Sequence, residues 1–288
     1  MFRTIKVALL LAPLVGVAAC GDAAEETTLR TDAEAVAALR AAPDAATEAE
    51  SARFELTMST GSPDGAVDIV STGAYDGDQL AMTMDFGTAL AGLAQASGET
   101  VPDGFDEPME VVIDGDQAYL RVPMLDALTG RGGWFTASLE ELAESGGSLG
   151  FGEGRSDPSR LLEMLRGVTD GLEEVGREDV RGVATTHLTA VISVAKALEE
   201  ATADQRAALK AQMDGFGVAE LPVDVWVDGA GLVRRMVLDL TEVVSSARGD
   251  EGRATLTIEL FDYGEDVDIE VPAADEVTPL SEILGSDG

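Results

Sequence analysis

From residue 52 onward the chain alternates apolar and polar side chains with a period of two, and that alternation constrains the fold more than any other feature. Phe54, Leu56 and Met58 alternate with Arg53, Glu55 and Thr57, the pattern of a strand with one face on a core and the other in water. Val67 to Tyr75 continue as strand, Asp76-Gly77-Asp78 supplies a tight hairpin, and Leu80, Met82, Met84 and Phe86 share one face of the return. The arrangement repeats at Met109-Val111-Ile113, Asp114-Gly115-Asp116 and Ala118-Leu120-Val122. Trp134-Phe135-Thr136 follow, and strands are predicted again at 171–180, 183–190, 221–228, 232–243 and 254–263. The total is about ten strands.

Helical spacing is confined to short pieces. An alanine-rich segment opens with a capping box at Thr31-x-x-Glu34, carries Val36 and Leu39 on one face, and is interrupted at Pro43. Residues 87–107 read as a short helix and a loop, and a further helix is predicted over 138–144. Residues 145–156, with five glycines, read as a loop. Asp157-Pro158 starts another helix, with Leu161, Leu162 and Leu165 on its apolar face. Residues 193–213 place Val194, Leu198, Ala201, Leu209 and Met213 near helical spacing. Without β-α-β alternation, these elements predict an α+β fold: one antiparallel sheet with helices on one side. No linker inside 50–275 divides it into two domains.

The first twenty residues are of another kind. Arg3 and Lys6 precede an apolar run from Val7 to Val15, and small residues lead to Cys20. This is a secretory signal, too short to span a bilayer permanently. Cys20 is the one cysteine of the chain, so no disulfide forms within it and stability rests on packing. Val17-Ala18-Ala19-Cys20 resembles a bacterial lipobox, whose thiol is lipidated and becomes the mature N-terminus. The predicted organisation is a signal peptide over 1–19, a tether over 20–31, a folded domain over 32–275 and a polar tail over 276–288. No other segment has the roughly 20 apolar residues of a membrane span.

Charge then excludes whole classes of function. The 288 residues hold 54 acidic against 19 basic side chains, a net of −35, and loss of Arg3 and Lys6 with the signal leaves −37. Such a chain is repelled by phosphate backbones and by anionic lipid, so no nucleic-acid partner and no polybasic membrane contact are expected. Attachment to a membrane falls to the lipid on Cys20.

The residues for catalysis are sparse. Gly146-Gly147-Ser148-Leu149-Gly150 matches G-x-S-x-G, but glycine-rich loop lies on both sides where a nucleophile elbow needs a strand and a helix. His187 is the lone histidine and reads as a cross-strand residue. Asp76/Asp78, Asp114/Asp116 and Asp224/Asp228 lack the spacing of a calcium loop and serve as hairpin chemistry. Asp266, Asp268 and Glu270 read as the solvated side of an extended segment. The chain is therefore expected to be no enzyme and to carry no cofactor and no metal. What it has in quantity is methionine, an adaptable apolar filler, on strand faces.

The order of these local motifs resembles the LppX/LprAFG family of mycobacterial and related actinobacterial lipoproteins, whose fold is similar to LolA and LolB. The resemblance rests on the lipobox, on Ser51-Ala52-Arg53-Phe54-Glu55-Leu56, on Val111 to Leu120 around Asp114-Gly115-Asp116, and on Trp134. It continues through the Asp157-Pro158 helix, Gly176-Arg177-Glu178-Asp179-Val180-Arg181-Gly182, Leu221-Pro222-Val223-Asp224-Val225-Trp226-Val227-Asp228, Leu260-Phe261-Asp262-Tyr263-Gly264 and Val271-Pro272. It implies a strongly curved antiparallel sheet, a half-barrel, with helices across its concave face and a hydrophobic cavity between them for acyl lipids or glycolipids of the cell envelope.

The residues expected to line that cavity are Met58, Ile69, Met82, Met84, Val111, Leu120, Val122, Leu125, Leu128, Leu161, Leu165, Met236 and Leu238. The expected function is lipid binding and transfer without chemistry, outside the cytoplasmic membrane. The alternatives are a partner-binding or sensing lipoprotein of the same fold with a filled core, and a hydrolase using Ser148.

Overall fold

A computed structural model of the chain describes residues 32–62, 65–98, 100–101, 107–125, 130, 132–144, 159–169, 171–201, 206, 210, 218–248 and 252–284. The readings made for Cys20, Thr31, Leu128, Ser148, Asp157, Leu209 and Met213 lie outside these residues.

The period-two segments form the strands β1 (Ser51–Ser62), β2 (Gly65–Asp76), β3 (Gln79–Asp85), β4 (Met109–Asp114), β5 (Gln117–Arg121), β6 (Trp134–Ser138), β7 (Glu173–Val180), β8 (Val183–Ser193), β9 (Glu220–Asp228), β10 (Val233–Asp239), β11 (Arg253–Phe261) and β12 (Val277–Pro279). All twelve join one open sheet in the order β12-β6-β5-β4-β3-β2-β1-β11-β10-β9-β8-β7. Neighbours are antiparallel except β12 and β6, which are parallel. The helices are α1 (Asp32–Glu48), α2 (Gly87–Ser97), α3 (Leu139–Glu144), α4 (Ser159–Leu162, running into a 3₁₀ turn at Glu163–Gly167), α5 (Val194–Glu200), α6 (Thr241–Arg248) and α7 (Ser281–Leu284).

The turns follow the sequence chemistry. Gly77 and Gly115 each take positive φ at the first position of a two-residue loop, the conformation of a type II′ hairpin. Arg181-Gly182 has positive φ at both positions, which suits type I′.

Several boundaries differ from the sequence expectation. Pro43 does not interrupt α1. The helix stays intact because Leu39, Ala42 and Ala46 are buried on its core side, and Thr47 Oγ1 donates to the Pro43 carbonyl at 2.9 Å. The strand predicted over 232–243 stops at Asp239, whose carboxylate accepts from the Thr241 backbone N–H at 2.9 Å and turns the chain into α6. The helix predicted from 193 starts at Val194, with the Ser193 hydroxyl accepting from Lys196 N, and ends where Ala201 becomes extended. Among the described residues the sheet has twelve strands rather than about ten, and Val277–Pro279, where a polar tail was expected, pairs with β6.

One face of the sheet is apolar over most of its width. Register sets Leu120, Val111, Met82, Gly73, Phe54 and Leu260 side by side from β5 to β11. On the other half, Met236, Val225 and Leu188 continue such a row. The core sides of α1, α4 and α5 join the same cluster through Val36, Leu39, Leu162, Leu165 and Ala197.

Polar ties hold the helices to one another. Arg40 donates to the Val168 carbonyl through Nε (3.0 Å) and Nη2 (2.6 Å), and Arg166 bonds Asp44 (2.8 Å) and Glu163 (2.6 Å). The Arg166 hydrogen bond holds the Asp44 carboxyl below its ordinary range. At the free edge, β7 carries a bulge between Glu174 and Gly176, exposes Glu173, Glu174, Glu178 and Asp179, and leaves Val175 59% exposed.

Candidate functional site

The apolar face is unevenly covered. On β1, Ala52 and Phe54 are fully buried, whereas Leu56 and Met58 are half-buried; on β3, Leu80 and Met82 are buried and Met84 is not fully so. The under-covered positions adjoin one another. Leu56 and Met84 flank Ser71 of β2, while Met58 pairs with Ile69 on one side and Leu256 on the other. Phe86, Leu125 and Leu161 are likewise half-buried against this cluster. The result is an apolar patch near one end of β1 to β3, continuous with a sealed core.

Twelve of the thirteen expected lining residues fall within the described chain. Met58, Ile69, Met82, Met84, Val111, Leu120, Met236 and Leu238 all lie on the apolar face. Met82, Val111 and Leu120 form one row, and Leu238 faces Leu256. Val111, Leu120, Leu165, Met236 and Leu238 are fully buried, Met82 and Val122 nearly so, and Leu125 and Leu161 sit at the rim. The structure therefore splits the set into core residues and a smaller half-covered group. Leu56 belongs with the second group and was not singled out; its place in the alternation beside Met58 was the available signal.

The paired apolar-face positions of β1–β5 and β8–β11 carry no charged side chain, so the face offers contact without acid–base chemistry. Among the described residues no group of three or more His, Cys, Asp or Glu could hold a metal ion, and no helix is long and apolar enough to cross a membrane.

The opposite face collects the charges. Glu259 of β11 accepts from Arg235 (2.6 Å) and Arg181 (2.6 Å), and Arg181 also reaches Glu55 (2.9 Å). Burial opposes ionisation of Glu259, but its bonds to the Arg235 and Arg181 guanidinium groups outweigh that and hold its carboxyl below the ordinary range. Arg181 sits in the β7–β8 turn, and β8 stands three places from β11, about 14 Å on a flat sheet. The contact requires the twist of a real one.

His187 pairs across strands as expected. Its ring stacks on Trp226 at 4.1 Å, and its nitrogens face Asp224 (2.9 Å) and Glu178 (3.4 Å). Two cavities open on this face. One of about 290 Å³ is bounded by Arg181, Arg234 and Phe261. The other, about 590 Å³, lies between β1–β4 and residues 268–270, with Trp134 and Phe261 among its walls.

No protein-family model matches the chain. It is 31% identical over 268 residues to a 31.2 kDa protein of Streptomyces griseus encoded in the rplA–rplJ intergenic region, covering 89% of this chain and 82% of that one. A provisionally named lipoprotein of Streptomyces coelicolor (SCO4650) is 26% identical over 159 residues, 54% of this chain and 45% of that one. Among solved structures, lipoprotein LppX of Mycobacterium tuberculosis has a TM-score of 0.47 at 15% identity, covering 83% of this chain and all of that one. LprF of Mycobacterium bovis has a TM-score of 0.45 at 18% identity, covering 84% and 98%.

Proposed function

Because this chain belongs to one family with the Streptomyces griseus protein, we propose that it is an LppX/LprF-like lipoprotein, a membrane-anchored protein that binds an acyl chain on its apolar face and passes it on without chemistry. The observation that carries this reading is the half-covered patch of Leu56, Met58, Ile69, Met84 and Phe86, contiguous with a sealed core and free of charge. Each methylene moved from water onto such a surface contributes about 0.8 kcal/mol, and methionine adapts its shape to the chain it meets.

In this reading the sheet curls into a half-barrel with the helices on its concave side. The lipid on Cys20 holds the domain at the outer surface of the cytoplasmic membrane. The cargo is an acyl lipid or glycolipid of the envelope. Ser148 plays no catalytic part.

A second reading, a partner-binding or sensing lipoprotein with a filled core, is favoured by one observation. Phe54, Val111, Leu120 and Met236 of the apolar face are completely buried, as a solid core requires.

Native mass spectrometry of residues 21–288 separates the two. Recovery with bound lipid, or uptake when lipid is offered, supports transfer. A bare protein that takes up none refutes it and leaves the filled-core reading.

A further inference from the structure

After β11 the chain leaves the sheet abruptly. Asp262 and Gly264 both take positive φ (52° and 70°) around Tyr263, and the turn is pinned by three contacts. The Tyr263 hydroxyl donates to the Val233 carbonyl (2.7 Å), Gly264 N donates to the Ser51 carbonyl (2.9 Å), and the Ser51 hydroxyl donates to the Glu265 carbonyl (2.8 Å).

The chain next joins the sheet at β12, seven places away in strand order. That is about 34 Å at ordinary strand spacing, out of a reach of about 50 Å for the residues available. In between it crosses the charged face. Val267, Ile269 and Val271 are half-buried while Asp266, Asp268 and Glu270 point to solvent. Ala74 and Val112, on the solvent side of β2 and β4, are buried and wall the same cavity as residues 268–270.

The crossing is weakly held in the middle and firmly held at its start. Among the described residues, no backbone hydrogen bond joins 266–275 to the sheet, and the 590 Å³ cavity lies beneath 268–270. At its far end β12 is three residues long, parallel, and ends in Pro279, which lacks an N–H; Leu280 N adds one bond to the Thr136 carbonyl (2.8 Å). Three parallel pairs do not hold a free strand. A covalent strap raises the local concentration of β12 at β6 to the millimolar range.

We infer that residues 265–276 are a clasp for the sheet edge. β12 and α7 stay on β6 because the strap delivers them there, and strap, β12 and α7 come away together as one unit before the rest of the sheet opens. Such a unit lets the protein uncover the β6 edge and the Ala74/Val112 surface, and lifts Leu280 from the rim of the apolar cluster.

Hydrogen exchange read by mass spectrometry on residues 21–288 tests this with Ile269→Asp and the milder Ile269→Ala, both in the strap and outside the β6 and β12 segments. The expected result is a matched fall in protection, about fivefold for Ile269→Ala and more for Ile269→Asp, at 134–138 and 277–284, with β1, β8, β9 and β11 unchanged. Unchanged protection at 134–138 and 277–284 in both variants overturns the clasp. So does an equal fall in every strand, which would make Ile269 an ordinary contributor to global stability. Neither outcome depends on whether the protein binds lipid.

Discussion

Gly73 is the position where one added methyl group should cost most. It lies on the apolar face of β2, opposite Phe54 and Met82, and the Phe54 ring occupies the space a side chain would need. A Cβ built there meets the Ala81 carbonyl oxygen, comes within 2.7 Å of Phe54 Cζ and lies 3.0 Å from Met82 Cα. Two of these three neighbours are backbone, and Phe54 is itself completely buried, so nothing can swing aside. Overpacking of this kind costs about 1–3 kcal/mol, and rigid neighbours put Gly73→Ala at the upper end, about 3 kcal/mol. For a domain of this size each kcal/mol lowers Tm by about 2–4 °C, so calorimetry should record a fall of about 6–12 °C. Adding Phe54→Leu should recover only part of the loss, because the Ala81 carbonyl remains. A fall of under about 2 °C for Gly73→Ala, or full recovery in the double variant, would refute this account of the core.

Arg40→Ala removes both bonds to the Val168 carbonyl and should cost about 1.5–3 kcal/mol by denaturant unfolding, the range for hydrogen bonds to a charged group. Glu259 is held below the ordinary glutamate value in the folded state. Its contribution is therefore present above about pH 4.3 and lost as pH falls through the lower folded value; between pH 5 and 3 the native protein should lose more stability than Glu259→Gln, measured by thermal melts. Cys20→Ser should abolish labelling by radioactive palmitate and move the protein to the soluble fraction. Met58→Asp with Met84→Asp should lower the lipid recovered in native mass spectra several-fold while leaving Tm within a few degrees, since both positions are half-buried.

The sheet was legible because alternation and hairpin chemistry are local. Asp76-Gly77-Asp78, Asp114-Gly115-Asp116 and Arg181-Gly182 each specify a turn from a few residues, and the alternating apolar residues of β1, β3, β4 and β5 fell on one face as their spacing required. What the sequence hid depends on tertiary contact. Pro43 sits inside α1 because burial of Leu39 and Ala46 outweighs a missing hydrogen bond. Val277–Pro279 looks like tail because three residues carry no periodicity; only the distant β6 makes them a strand. The site divided in the same way. Alternation found the apolar face, but which of its side chains are sealed and which half-covered is decided by helices from other parts of the chain.

The β7 edge bears on what happens when many copies are held side by side on one surface. An open sheet invites another copy to dock backbone to backbone, and crowding on a plane multiplies such encounters. β7 answers with a kinked backbone at Glu174/Gly176 and the exposed carboxylates of Glu173, Glu174 and Asp179 against the single cation of Arg177, so that an identical edge would bring mostly like charges together. The strand that terminates the sheet thus makes the molecule a poor template for its own kind, so that high density on a surface need not end in fibres.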